Sequence, residues 1–223
     1  MDIASPISVT TTKSENNVPL DRQERFVKNV YSVVDDAIAC ELDHLRTTKG
    51  IIPTCESGCS HCCRHHILTN GLEAHAMARY IKREFSKQQI TDLRMRTQQW
   101  HVWDRRMPGR YPRKDMDGLT DLSNYKHLCP LIVNGACSAY QARPVVCRIH
   151  YVSSPVLSCC DSRDRTSSAA APATIRSIET AARPFSRALK DHIERQGLDF
   201  SRSVMLLPHW LAEEMEWNFD EFH

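Results

Sequence analysis

Between Asp21 and Leu45, apolar side chains return every three to five residues, at Phe26, Val30, Val33, Ala37, Cys40 and Leu45. That spacing predicts one face of an amphipathic helix. Cys40 falls on the face and reads there as a small core hydrophobe. A second helix is expected after Asn70, because Asn70 and Glu73 have the spacing of a capping box and Leu72, Ala76, Tyr80 and Ile81 continue as an apolar stripe to about Phe85. Ile90, Leu93, Thr97, Trp100 and Trp103 predict a third, stopped by Pro108 and Gly109. Ile175, Ile178, Ala182, Phe185, Leu189 and Ile193 mark another, ended by Gly197 and kinked at Pro184. A short helix is expected after Pro208, in a tail from Leu206 to His223 that holds two tryptophans.

Strand signals are few. Leu131–Val133, Asn134-Gly135 and Ala136–Ala139 read as a hairpin, since Asn-Gly suits the positive φ angles of a two-residue turn. In that register Cys137 faces Ile132, and Cys129 lies roughly 10 Å further along an extended strand. Both reach one metal only if the chain curls near Pro130. Residues 104–127 have no clear period and read as a long surface loop, Ser167–Pro172 as a flexible linker, and residues 1–19 as a flexible polar leader. The fold class expected is mainly α: one domain over residues 20–223, its helices packed around an irregular, metal-bound, cysteine-rich centre (residues 55–150) with one small β-hairpin.

Composition alters this picture at one point. A chain of 223 residues, 41% hydrophobic and 25% charged, suits one globular core. Its 29 basic and 27 acidic residues leave a net charge of +2, too balanced to imply nucleic acid or a membrane surface as partner. No run approaches the ~20 apolar residues that span a bilayer. Ten cysteines, however, are many for such a chain. The stretch from Met1 to Asn17 is polar and unlike a signal peptide, so a cytoplasmic setting is expected, where clustered thiols serve metal or redox chemistry more often than cross-links.

Four of those thiols stand in nine residues, Cys55-x3-Cys59-x2-Cys62-Cys63. Thiolates suit zinc and the iron of iron–sulfur clusters, whereas Mg²⁺ and Ca²⁺ prefer oxygen. Cys55, Cys59 and Cys62 project from one side of a turn that Gly58 allows to close; Cys63 points elsewhere. Cys129, Cys137 and Cys147 form a second group, with Cys159 and Cys160 after them. Arg143-Pro144 starts a turn or helix, which sets Cys147 near a helix N-terminus, where the dipole favours thiolate. Arg64, His65, His66, Arg143, Arg148 and His150 flank the thiols and are expected to offset the negative charge of a thiolate centre. His61, His65 and His66 are also possible zinc ligands in type.

The run CESGCSHCCRHHILTNGLE (Cys55 to Glu73), followed by Cys129-Pro130-Leu131, Gly135-Ala136-Cys137, Tyr140, Arg143-Pro144 and Cys147-Arg148, resembles the cysteine-cluster (CxxxCxxCC) family of zinc- or iron-chelating domains. The resemblance covers about residues 55–150. It implies that Cys55, Cys59, Cys62, Cys63, Cys129, Cys137 and Cys147 are metal ligands; Cys159 and Cys160 are added on residue type alone. One branch of the family resembles flagellin lysine N-methylases, which implies an iron–sulfur cluster and S-adenosylmethionine. Cys55-x3-Cys59-x2-Cys62 also has the spacing of radical S-adenosylmethionine enzymes, but the chain shows neither the βα units of their partial barrel nor a glycine-rich cofactor segment.

The function expected is therefore an iron–sulfur protein carrying a 4Fe–4S cluster or iron, with an unidentified protein or small-molecule substrate. The alternatives are a zinc-stabilised binding module and a metal carrier or thiol-redox protein. The residues display no Ser-His-Asp order, phosphate loop or paired carboxylates.

Overall fold

Helix α1 (Arg22–Lys49) begins where the Asp21 side chain accepts the Glu24 N–H at 2.7 Å and ends at Gly50, whose φ of 63° is left-handed. The computed structural model describes residues 21–56, 58–64, 66–106, 127–155 and 173–219. The expected leader, most of the 104–127 loop, the Ser167–Pro172 linker, His65, Cys159 and Cys160 lie outside them.

The buried face of α1 is Val27, Val30, Tyr31, Val34, Ile38 and Leu45. This stripe is rotated from the one the spacing suggested. Val33 is 43% exposed and Cys40 is exposed, which corrects its reading as a core residue. Phe26/Val27, Val33/Val34 and Ala37/Ile38 offer two adjoining apolar stripes, and periodicity alone does not choose between them.

After a 3₁₀ turn (His61–Arg64), β1 (Leu68–Asn70) leads directly into α2 (Gly71–Glu84) and then α3 (Lys87–Arg106). Asn70 caps α2 as its sequence predicts, accepting the Glu73 N–H at 3.0 Å. The hairpin of β2 (Ile132–Val133) and β3 (Ala136–Cys137) has the expected register, with Ile132 opposite Cys137. Asn134 and Gly135 take φ of 51° and 82°, the pair a primed turn requires. A 3₁₀ turn (Tyr140–Ala142), the short α4 (Val145–Arg148) and α5 (Arg176–Arg195) follow. Near the end of the described chain β4 (Val204–Leu206) runs into α6 (Leu207–Glu214) and pairs antiparallel with β1, Thr69 opposite Met205. Three-residue strands this far apart carry no alternation to read, and the spacing predicted neither.

α2 is the shared partition of two apolar clusters. Leu72 and Ala76 face α1, α5 and Val145; Met77 and Ile81 face Leu93 of α3, Leu131, and Leu207 and Leu211 of α6. The fold is mainly helical, as expected. Among the described residues no helix is long and apolar enough to cross a membrane.

Candidate metal centre

Two segments carry the clustered thiols. The first leaves α1 at Gly50 and passes Cys55 and Cys59 without regular structure, held by a few bonds: Thr54 donates its N–H to the Val152 carbonyl at 3.0 Å and its hydroxyl to the Ser154 carbonyl at 2.6 Å. Gly58 takes φ of 90°, a conformation other residues adopt only with strain. The second segment joins the first where the Cys129 N–H meets the Cys63 carbonyl at 2.8 Å. It then curls at Pro130, with the Ile132 N–H on the Cys129 carbonyl at 3.0 Å. This is the bend needed to bring Cys129 and Cys137 towards each other.

Apart from exposed Cys40, the described sulfurs divide into two groups. Cys55, Cys59, Cys62 and Cys147 line an open pocket of about 410 Å³ together with Arg46, Arg143, Arg148 and His150. Cys63, Cys129 and Cys137 pack instead into the apolar cluster around Met77 and Leu131. Cys62 and Cys63 are the seam: neighbours in the 3₁₀ turn, they hydrogen-bond to each other and belong to different groups. All eight described cysteines are free thiols. Among the described residues no three or more His, Cys, Asp or Glu are arranged to hold a metal ion, so the four thiols share a pocket without closing on a common point.

Burial dominates the ionisation of most of these groups. It pushes Cys129 up to about 12, Cys147 well above the usual thiol range, and Cys55 and Cys137 upward. The helix N-terminus expected to favour a Cys147 thiolate is outweighed, because α4 has only 4 residues and the thiol is buried. Backbone N–H groups work the other way: Val152, Leu131 and Ala139 donate to Cys55, Cys129 and Cys137 and favour their thiolates. Cys62 is the exception. The Cys63 thiol donates to it and the Arg143 charge lies near, which together bring it down to about 7 against its burial, while Cys63 rises because it holds the proton.

Behind Cys147 lies a buried polar network that local spacing could not show. Glu73 does more than cap α2: its carboxylate accepts from Asn70 Nδ2 at 2.7 Å, the Thr69 and Tyr31 hydroxyls at 3.1 Å each, and the Val145 N–H at 2.7 Å. The last bond fixes the first turn of α4, which carries Cys147. Burial pushes the Glu73 carboxyl up, opposed by those donors and by the Arg148 charge.

The flanking cations have unequal roles. Arg148 is 4% exposed, and its guanidinium is committed to the Asp35 carboxylate and the Gln141 and Arg143 carbonyls, 4.0 Å over the Tyr31 ring. Arg143 stacks on Tyr140 at 3.8 Å; its Nε is buried without a partner, and its side chain makes no hydrogen bond to the described residues. Among the described residues it is the lining guanidinium without a hydrogen bond or ion pair. His150 lines the pocket. His66 stacks on Trp103, ring centroids 6.1 Å apart, beside a second, small cavity shared with Arg64, His127 and Cys129. His61 stays on the 3₁₀ turn.

The donor set suits a thiolate-preferring metal: among the described residues four sulfurs line one pocket, Arg143 stands beside them, and the Val152 N–H is aimed at Cys55. No protein-family model matches the chain, and the curated proteins and solved structures give no match either.

Proposed function

We propose that this chain is a metal-binding protein whose cysteines hold an iron–sulfur cluster in a reducing, cytoplasmic setting. One observation carries the reading: Cys55, Cys59 and Cys62, which precede α2, meet Cys147, which follows α3 and the hairpin, on a single pocket with Arg143. The four described thiols match the donor count of a four-cysteine cluster, and the resemblance to the cysteine-cluster family supports metal on these thiols while leaving zinc or iron open. Bound there through four cysteines, such a group would supply electron transfer. The chain's own part is to hold the sulfurs and leave one side of the pocket, where Arg143 stands, open to a small molecule.

A zinc-stabilised module is the second reading, favoured by Cys63, Cys129 and Cys137. These thiols sit within an apolar cluster, the surroundings of a closed structural site.

Anaerobic purification with iron, zinc and acid-labile sulfide counted per chain separates the two. Absorption near ~400 nm with matching iron and sulfide is the result expected of the cluster. Cys55→Ser, Cys59→Ser, Cys62→Ser and Cys147→Ser are each expected to lower bound metal at least several-fold, and Cys40→Ser to leave it unchanged. A colourless protein with stoichiometric zinc overturns the iron–sulfur reading, and so does equal metal content in all five variants; zinc that survives Cys63→Ser, Cys129→Ser and Cys137→Ser alike overturns the second.

A further inference from the structure

The pocket is larger than its thiols require. Its volume of about 410 Å³ lies within the roughly 300–1,000 Å³ of small-molecule sites, whereas a metal centre alone fills much less. Ile52, Pro53, Tyr140 and Tyr151 give it apolar and aromatic walls suited to a hydrocarbon or ring.

Its charges are more selective. Arg148 has committed its donors, and Arg46 stands at the exposed end of α1 beside Asp43, 3.5 Å away. Among the described residues of the lining, Arg143 is the guanidinium with no hydrogen bond or ion pair, and its stack on Tyr140 holds its plane in place. One planar guanidinium matches one planar oxyanion through two parallel N–H···O bonds. A phosphate dianion would leave half its charge unanswered, and the Glu56 carboxylate in the pocket lining disfavours polyanions further.

We propose that this pocket binds a small organic molecule through its carboxylate, held by Arg143, with its apolar body against the tyrosines. The proposal deepens the metal reading by naming a ligand for the open side of the same pocket.

The test uses the full chain with its metal counted, titrated calorimetrically with 3-phenylpropionate and with its neutral amide. The carboxylate is expected to bind the wild type at least ~10-fold more tightly than the amide, the advantage of one charge-assisted bidentate pair. Arg143→Gln is expected to bring that ratio near one with metal content unchanged, and Arg143→Lys to leave an intermediate ratio. Equal binding of acid and amide to the wild type, or binding of neither, overturns the proposal. So does an Arg143→Gln chain that keeps the ratio, and so does one that loses its metal along with it, which makes Arg143 a counter-ion only. Inorganic phosphate displacing the probe better than acetate overturns the carboxylate assignment. If Arg143→Gln does not fold, the wild-type ratio and the Arg143→Lys ratio decide. A chain that purifies without metal overturns the metal reading alone, because the acid-to-amide ratio is measured on it all the same.

Discussion

The Glu73 carboxylate accepts the Val145 N–H at 2.7 Å, so the residue that starts α2 also fixes the turn that carries Cys147. Glu73→Ala strips an acceptor from Val145, Tyr31, Thr69 and Asn70 at once, in an interior where each orphaned donor costs about 1–3 kcal/mol. These losses share one centre and do not add. A destabilisation of about 3 kcal/mol or more is expected by urea unfolding, with Glu73→Gln less damaging because it keeps one acceptor oxygen. A loss below about 1 kcal/mol for the alanine variant would show that α4 is held by something else.

His75 links two ends of the fold, its Nε2 on Asp21 Oδ2 at 2.8 Å and its Nδ1 on Glu214 Oε2 at 3.1 Å. Burial works against its proton, but the two carboxylates outweigh it and hold its pKa above the ordinary histidine value. A raised folded-state pKa gives stability that is whole below the unfolded value and disappears as pH climbs through the folded one. Asp21 moves the other way. Burial raises it, but the Glu24 N–H and His75 outweigh that and hold it low, so its contribution is lost as pH falls through its folded value. The link is therefore strongest between roughly pH 4 and 6.5. Melting temperature is expected to fall more steeply from pH 6 to 8 in the wild type than in His75→Gln. Parallel curves would remove His75 from the account.

A Cβ built on Gly71 meets the Trp210 ring at 2.9 Å, while the indole N–H of Trp210 donates to the Thr69 carbonyl at 3.0 Å. The ring is pinned at one edge and cannot retreat freely. Gly71→Ala is expected to cost about 1–3 kcal/mol in chemical denaturation, despite alanine's better helix propensity. A stabilised variant would mean that the indole moves aside without losing its bond.

Legibility followed the range of the interactions. The helices, the Asn70 cap and the Asn-Gly hairpin with its register are written in neighbouring residues and could be read there. So could a cap at Ser86, where Gln89 Oε1 accepts the Ser86 N–H at 2.7 Å and Ser86 Oγ the Gln89 N–H at 3.2 Å, although apolar spacing alone passes over it. The face of α1 was misread by one stripe because two stripes are apolar, and Cys40 went to the wrong side with it. The thiols were visible as a group, but their division was not: it depends on which neighbour of the Cys62-Cys63 pair faces the pocket and which faces α2. Arg148 looked like a partner for the thiolates, and only its distant contacts with Tyr31 and Asp35 show that its charge is already used.

The pairing of β1 with β4 sets a timetable for a chain made from its amino end. Cys55 to Cys147 are all in place well before Val204–Leu206 arrives to lie against Leu68–Asn70, the strand that delivers Asn70 and Glu73 to the start of α2. The eight described thiols are thus translated early and seated late. Translation arrested before residue 204 leaves a chain that has every one of them and lacks the strand that completes their scaffold.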